Sequence, residues 1–126
     1  MKLESILDVD INSLPHYFFY AMVPNDYVGP VYITESRAVA WFKAGALHRI
    51  GKPAIVWPSR TDSTKPIGFA YVENNDYHRL DGPAFIQHKN ITFSIHGKRF
   101  TEENFWNHPL VIKHLMKHLV ELDECP

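Results

Sequence analysis

Residues 77 to 86, YHRLDGPAFI, gather the side chains most able to do chemistry: His78, Arg79 and Asp81, followed by Gly82-Pro83. An imidazole titrates near neutrality and can act as acid or base, and a guanidinium can grip phosphate or carboxylate. The chain holds eight histidines in all. His114 and His118 stand four residues apart, a helical spacing that can turn two ring nitrogens toward one metal ion. No glutamate lies between them, no third ligand stands nearby, and Lys113 and Lys117 flank them as on a solvated face. The sequence therefore nominates them only as a metal pair lacking its third ligand, and no metal or other cofactor is expected. The single cysteine, Cys125, cannot form an internal disulfide and has no fixed basic neighbour to activate it. A G-x-S-x-G elbow, a Gly-rich phosphate loop and a Cys/His zinc spacing are all missing.

Copy number decides how His78 is read. AWFKAGALHRIGKPAIVW, residues 40 to 57, aligns with AYVENNDYHRLDGPAFIQ, residues 70 to 87. Each copy runs from an aromatic (Trp41, Tyr71) through a turn residue (Gly45, Asn75) to His-Arg (His48-Arg49, His78-Arg79) and then Pro-Ala (Pro53, Pro83). A third copy, TFSIHGKRFTEENF, has Phe93 and Gly97 in place but Phe100-Thr101 where His-Arg would stand. A fainter trace, GPVYI at 29 to 33, has Asn25 at the His position. A residue that recurs at one offset does the same local job each time, whereas an active site is assembled once from unlike groups. The expected job is an imidazole hydrogen bond to a turn's backbone, with the arginine stem covering apolar surface and Asp81 closing an Asx turn. His48, Arg49, Pro53, His78, Arg79, Asp81, Gly82 and Pro83 are thus read as a structural motif, and the chain as a non-enzyme. The alternative is a metal-dependent hydrolase using His48, His78, Asp81 or the His114/His118 pair.

The elements that carry this motif read as β-structure. Ile91, Phe93 and Ile95 alternate with Thr92 and Ser94, and AIVW and AFI are short apolar runs between turn signals. HGK and HKN are tight reversals, with Gly97 or Asn90 able to take positive φ. Pro30 to Pro53 spans 23 residues but Pro53 to Pro83 spans 30; the excess lies in PSRTDSTKP, residues 58 to 66, a long polar loop between paired strands. LESILDVDI suggests a short N-terminal helix, and HYFFYAM, 16 to 22, an aromatic strand. Thr101 caps a helix begun by Glu102 and Glu103, and Pro109 opens a second, with Asn107 or His108 as cap. Apolar positions 111, 112, 115, 116, 119 and 120 form a stripe expected to cover one sheet face. The alternative is that helix 109–121 serves a homodimer or a partner. The expected fold is mainly β with flanking helices (α+β): one domain, with 1–37 as helix and aromatic strand, 38–100 as a meander of antiparallel hairpin repeats, and 101–122 as helices packed on the sheet.

The aromatic-x3-Gly/Asn-x2-His-Arg…Pro-Ala unit resembles the variant MORN-type repeat, and GKRFTEENFWNHPLV resembles the end of such proteins in bacteriophages. The likeness covers roughly residues 38 to 111, and the first copy departs from it with Gly51-Lys52 in place of Asp-Gly. The resemblance implies a structural repeat without a common chemistry. It also implies a phage-type accessory protein that binds and modulates, by inhibition, a host enzyme or defence component.

Composition agrees with an ordinary globular domain: 126 residues, 45% apolar, 21% charged and a net charge of -1. Such a balance gives no general attraction for nucleic acid or an anionic membrane. No apolar run is long enough for a signal peptide or a membrane span, so a cytoplasmic location is expected. The candidate binding residues are Trp41, Trp57, Tyr71, Arg60, Asp62 and Lys65, and function is expected to rest on what differs between the repeats: the 58–66 loop, the unmatched first 37 residues and the terminal helix. Arg37, Lys43, Arg60 and Lys65 beside Trp41 and Trp57 also leave a single-strand nucleic-acid surface open.

Overall fold

The computed structural model describes residues 10–59 and 66–124, with side chains of the last helix described through residue 117. A 3₁₀ turn at Ile11–Ser13 leads into β1 (His16–Tyr17), and a second lies at Tyr20–Met22. The strands continue as β2 (Val28–Ile33), β3 (Ala38–Lys43), β4 (Ala46–Leu47), β5 (Ile55–Pro58), β6 (Pro66–Ala70), β7 (Val72–Glu73), β8 (Asp76–Tyr77), β9 (Phe85–Gln87), β10 (Asn90–Ile95) and β11 (Lys98–Phe100). Two helices close the chain, α1 (Glu102–Trp106) and α2 (Pro109–Glu124). The main sheet runs β1-β2-β3-β5-β6-β9-β10-β11 with β4 added to β3, while β7 and β8 form a separate hairpin. All pairings are antiparallel except β1 with β2. The expected meander with flanking helices is the observed fold.

Three hairpins owe their shape to the same backbone device. Ala44-Gly45, Asn74-Asn75 and His96-Gly97 each place two consecutive residues at positive φ, at 50° and 82°, 51° and 68°, and 48° and 83°. They connect Lys43 to Ala46, Glu73 to Asp76 and Ile95 to Lys98, so each loop is two residues long. That is the mirror-image turn that suits the twist of paired strands. In the HKN reversal it is His88, at φ 54°, that takes the left-handed conformation; Asn90 already pairs with Gln87 in β10.

Strand alternation builds two apolar faces. Val39 pairs with Val56, and both pack with Trp41, Tyr32, Phe69, Ile11 and Leu14 on one face. The other face carries Val31, Ile33, Ala40 and Phe42 beside Ala38, Ala54, Ile55, Ala70 and Val72. Its alanines are small enough to admit Tyr20, Leu47, Trp57 and Phe85 over them. At the far end Phe105 of α1 and Val111 of α2 are wholly buried against Phe93 and Ile95. Burying a side chain such as Phe105 contributes about 1.5–3 kcal/mol.

The ends depart from the sequence expectations. The stretch in which a short N-terminal helix is expected lies mostly outside the described residues, and Ile11 at its end belongs to a 3₁₀ turn. In HYFFYAM only His16 and Tyr17 find ladder partners, in Tyr32 and Ile33, and the chain then leaves the sheet. Thr101 Oγ accepts from the Asn104 N–H, as expected of a cap, and His108 Nδ1 caps α2 by accepting from the Leu110 N–H. Of the α2 stripe, Val111 is buried with Phe93, Ile95 and Phe105 and ties the helix to the sheet, while Ile112 and Met116 are 42% and 60% exposed; the side chains at 119 and 120 lie outside the described residues.

Candidate functional site

The His-Arg motif joins one repeat to the next. His48 Nδ1 accepts from the Asn74 N–H at 3.1 Å, and His78 Nδ1 accepts from the His96 N–H at 2.9 Å. In both cases the donor is the first residue of the following repeat's turn, not of the histidine's own turn. Because Nδ1 accepts, each neutral ring must carry its proton on Nε2. Each arginine engages its own repeat. Arg49 lies 3.9 Å over the Trp41 ring and Arg79 4.0 Å over Tyr71. Their Nη1 groups donate to the carbonyls of Pro53 and Pro83 at 3.3 and 3.1 Å. Ahead of the first copy, Asn25 abuts the Gly45 turn: a Cβ on Gly45 would stand 3.2 Å from Asn25 Oδ1.

The second copy adds groups that the first lacks. Asp81 Oδ1 accepts from Arg79 Nε at 2.7 Å, so this carboxylate holds the arginine and does not close an Asx turn. Gly82 leaves room for that arginine, since a Cβ there would come within 3.0 Å of the guanidinium carbon. The first copy has Gly51 at the Asp81 position, with φ 77°, and its turn differs accordingly. His78 is buried and stacks on His96 with ring centroids 4.1 Å apart. Burial and then the neighbouring His96 lower its pKa. Burial also raises the pKa of Tyr71, partly opposed by Arg79.

Beside these groups lies a half-open pocket of about 190 Å³, walled by Tyr71, His78, Arg79 and Asp81 from the repeat, Gly51 from the preceding one and His114 from α2. It brings together several residues nominated by sequence, and some of their polar atoms already serve the scaffold. Arg79 is shared among Tyr71, Asp81 and Pro83, and the His78 Nδ1 is committed to His96. Among the described residues, no three His, Cys, Asp or Glu side chains are placed to hold a metal ion. The side chain of His118 lies outside the described residues, so the His114/His118 pair is not described as a pair.

The candidate binding residues do not form one surface. Trp41 packs with Val39 and Val56, whereas Trp57 lies on the opposite face with Ile55 and stacks edge-on to Phe85. Tyr71 shares Trp41's face through Phe69. Arg60, Asp62 and Lys65 lie outside the described residues, so a basic surface spanning both tryptophans is not assembled among the described ones. Sequence reasoning pointed to the first 37 residues as a region for function but did not single out Phe18, Phe19 and Met22, which are 53%, 49% and 57% exposed just beyond the edge strand β1. Phe18 and Phe19 stack edge to face at 4.4 Å. Two adjacent aromatics both exposed cannot belong to a half-buried strand, and that break in alternation was the available signal.

Comparison of the chain with protein-family models, curated proteins and solved structures gave no match. Among the described residues, no helix is long and apolar enough to cross a membrane.

Proposed function

We propose that this chain is a non-enzymatic interaction protein of the variant MORN-repeat kind, which binds another protein through Phe18, Phe19 and Met22. The observation that carries this reading is that patch: three large apolar side chains exposed within five residues at one edge of the sheet. Aromatics and methionine are enriched at protein interfaces, and a few such anchors supply most of the binding energy. Support for a non-catalytic role comes from the motif histidines and arginines, whose Nδ1 and Nη1 atoms serve turns and carbonyls while the guanidinium groups lie over aromatic faces. The likeness to phage repeat proteins suggests a host protein as the partner, with inhibition or redirection of that protein as the outcome and the host cytoplasm as the place.

The test compares the wild-type chain with Phe18→Ser/Phe19→Ser as bait in host lysate. The wild type is expected to retain a partner that the double variant loses, while both melt alike. Equal capture by both baits would remove the patch from the binding surface, and no capture by either would count against the reading as a whole.

A further inference from the structure

We propose that the pocket beside His78 binds a small planar amide, whose carbonyl accepts from His78 Nε2–H and whose N–H donates to the Glu73 carboxylate. The scaffold itself prepares the donor. His78 Nδ1 accepts the His96 N–H at 2.9 Å, so the neutral ring must carry its proton on Nε2. His78 is 9% exposed and lines the pocket, yet its Nε2 makes no hydrogen bond among the described residues. A donor so placed loses most of its water without gaining an acceptor, and an occupant of the pocket can supply one. Glu73 lines the same pocket half-buried, and its carboxylate has no ion pair among the described residues. It is near enough to act on His78 electrostatically. The pocket therefore holds a donor and an acceptor that the fold leaves unused.

The surrounding charges and the size narrow the ligand. Arg79 is paired with Asp81, so Glu73 leaves the pocket with an excess negative charge that opposes a carboxylate or phosphate. A simple cation satisfies Glu73 but leaves Nε2–H facing no acceptor. A carbonyl beside an N–H satisfies both groups with no net charge, and an amide holds the two in one plane. Ile50 and Leu80 add apolar wall. A cavity of about 150 Å³ holds benzene, so about 190 Å³ takes a single ring with its amide and not a drug-sized molecule. The site lies on the second repeat and uses none of Phe18, Phe19 and Met22, so it goes beyond the protein-binding reading and is tested without it.

Titration of the isotope-labelled full chain, followed by NMR, tests the site. Nicotinamide probes a carboxamide and uracil a ring amide, and the tighter of the two names the source. Saturable shifts are expected at the backbone amides of Gly51, His78, Leu80 and Asp81, with a dissociation constant on the order of 1 mM or tighter. Nicotinate and N,N′-dimethyluracil, which lack the amide N–H, should bind about 10-fold more weakly or worse. Glu73→Ala should weaken the amide probes by about 10-fold. His78→Asn should abolish saturation: asparagine keeps an acceptor near the Nδ1 place, and Asn25 stands at this position in the faint first trace, but it has no donor that reaches as far as Nε2–H. If His78→Asn fails to fold, Glu73→Ala and the two blocked probes decide alone. The absence of saturable shifts, shifts confined to other residues, or equal binding by the blocked probes or by Glu73→Ala overturns the proposal.

Discussion

Removing the imidazole of His78 should destabilise the fold more than removing that of His48, although both residues occupy the same place in the repeat. His78 is 9% exposed, accepts from the His96 N–H at 2.9 Å and stacks on the His96 ring. Losing the hydrogen bond costs about 1 kcal/mol, and losing the packing of a buried ring adds roughly 1–2 kcal/mol. His48 is partly exposed, its bond to the Asn74 N–H is 3.1 Å, and the loss there is about 1 kcal/mol. For a chain of this size, 1 kcal/mol moves Tm by about 3–5 °C. His78→Ala should therefore melt roughly 6–15 °C below the wild type and His48→Ala roughly 3–5 °C below it. Thermal melts followed by circular dichroism give the ordering, and urea titrations with unchanged slope confirm that stability itself has moved. Partner capture below both melting points completes the assay, and both variants should retain it. If His48→Ala costs as much as His78→Ala, the burial argument is wrong. If His78→Ala melts like the wild type yet loses its partner, His78 belongs to the binding surface and not to the scaffold.

The same residue makes stability depend on pH. Burial lowers the folded-state pKa of His78 below its ordinary 6.5, so the unfolded chain takes up the proton first. Its contribution should be complete above pH 6.5, fall as the pH drops below that value, and level off once the folded state is also protonated; His78→Gln should flatten this part of a urea-midpoint profile. Gly68→Ala should be among the most damaging small substitutions, because the new Cβ would sit 2.5 Å from the Ile86 carbonyl and 3.0 Å from Gln87 Cα, both backbone atoms of a paired strand. A loss of about 2–4 kcal/mol by chemical denaturation is expected, against about 1 kcal/mol for Gly51→Ala, which is strained by its positive φ but opens onto free space.

Much of this fold could be read from the chain because its determinants are local. Two-residue turns at 44–45, 74–75 and 96–97 and the Thr101 cap depend on neighbouring residues, and the repeat alignment exposed them. Register is not local. Trp41 and Trp57 are an even number of residues apart, but they sit on different strands, and the pairing of Val39 with Val56 turns them to opposite faces. The same limit hid the direction of the histidine bonds. A turn bond was legible, but that it reaches the next repeat depends on how hairpins pack side by side. For HYFFYAM, β-propensity suggested a strand, yet a strand persists only while it has ladder partners, and these end at Tyr17.

The directional bonding also says where a repeat array of this kind can carry function. Asn25, His48 and His78 each stand against the turn of the unit that follows, and the two histidines accept a backbone N–H from it. The third copy has Phe100 where the histidine would stand, and no further turn follows for an imidazole to serve. Phe100 instead packs with Phe93 and Phe105 and stacks on His108, while Thr101, at the arginine position, becomes the cap of α1. Two substitutions thus convert a repeat into an ending. Inside the array, residue types at the motif positions are constrained by both neighbours. Where the pattern stops, at the aromatic turn beyond β1 and along α2, apolar side chains close together in the chain are left exposed: Phe18, Phe19 and Met22, and Ile112 and Met116. Among the described residues the motif that looks most reactive in the sequence is thus the one most used by the scaffold, and the two ends of the meander are where its pattern is released.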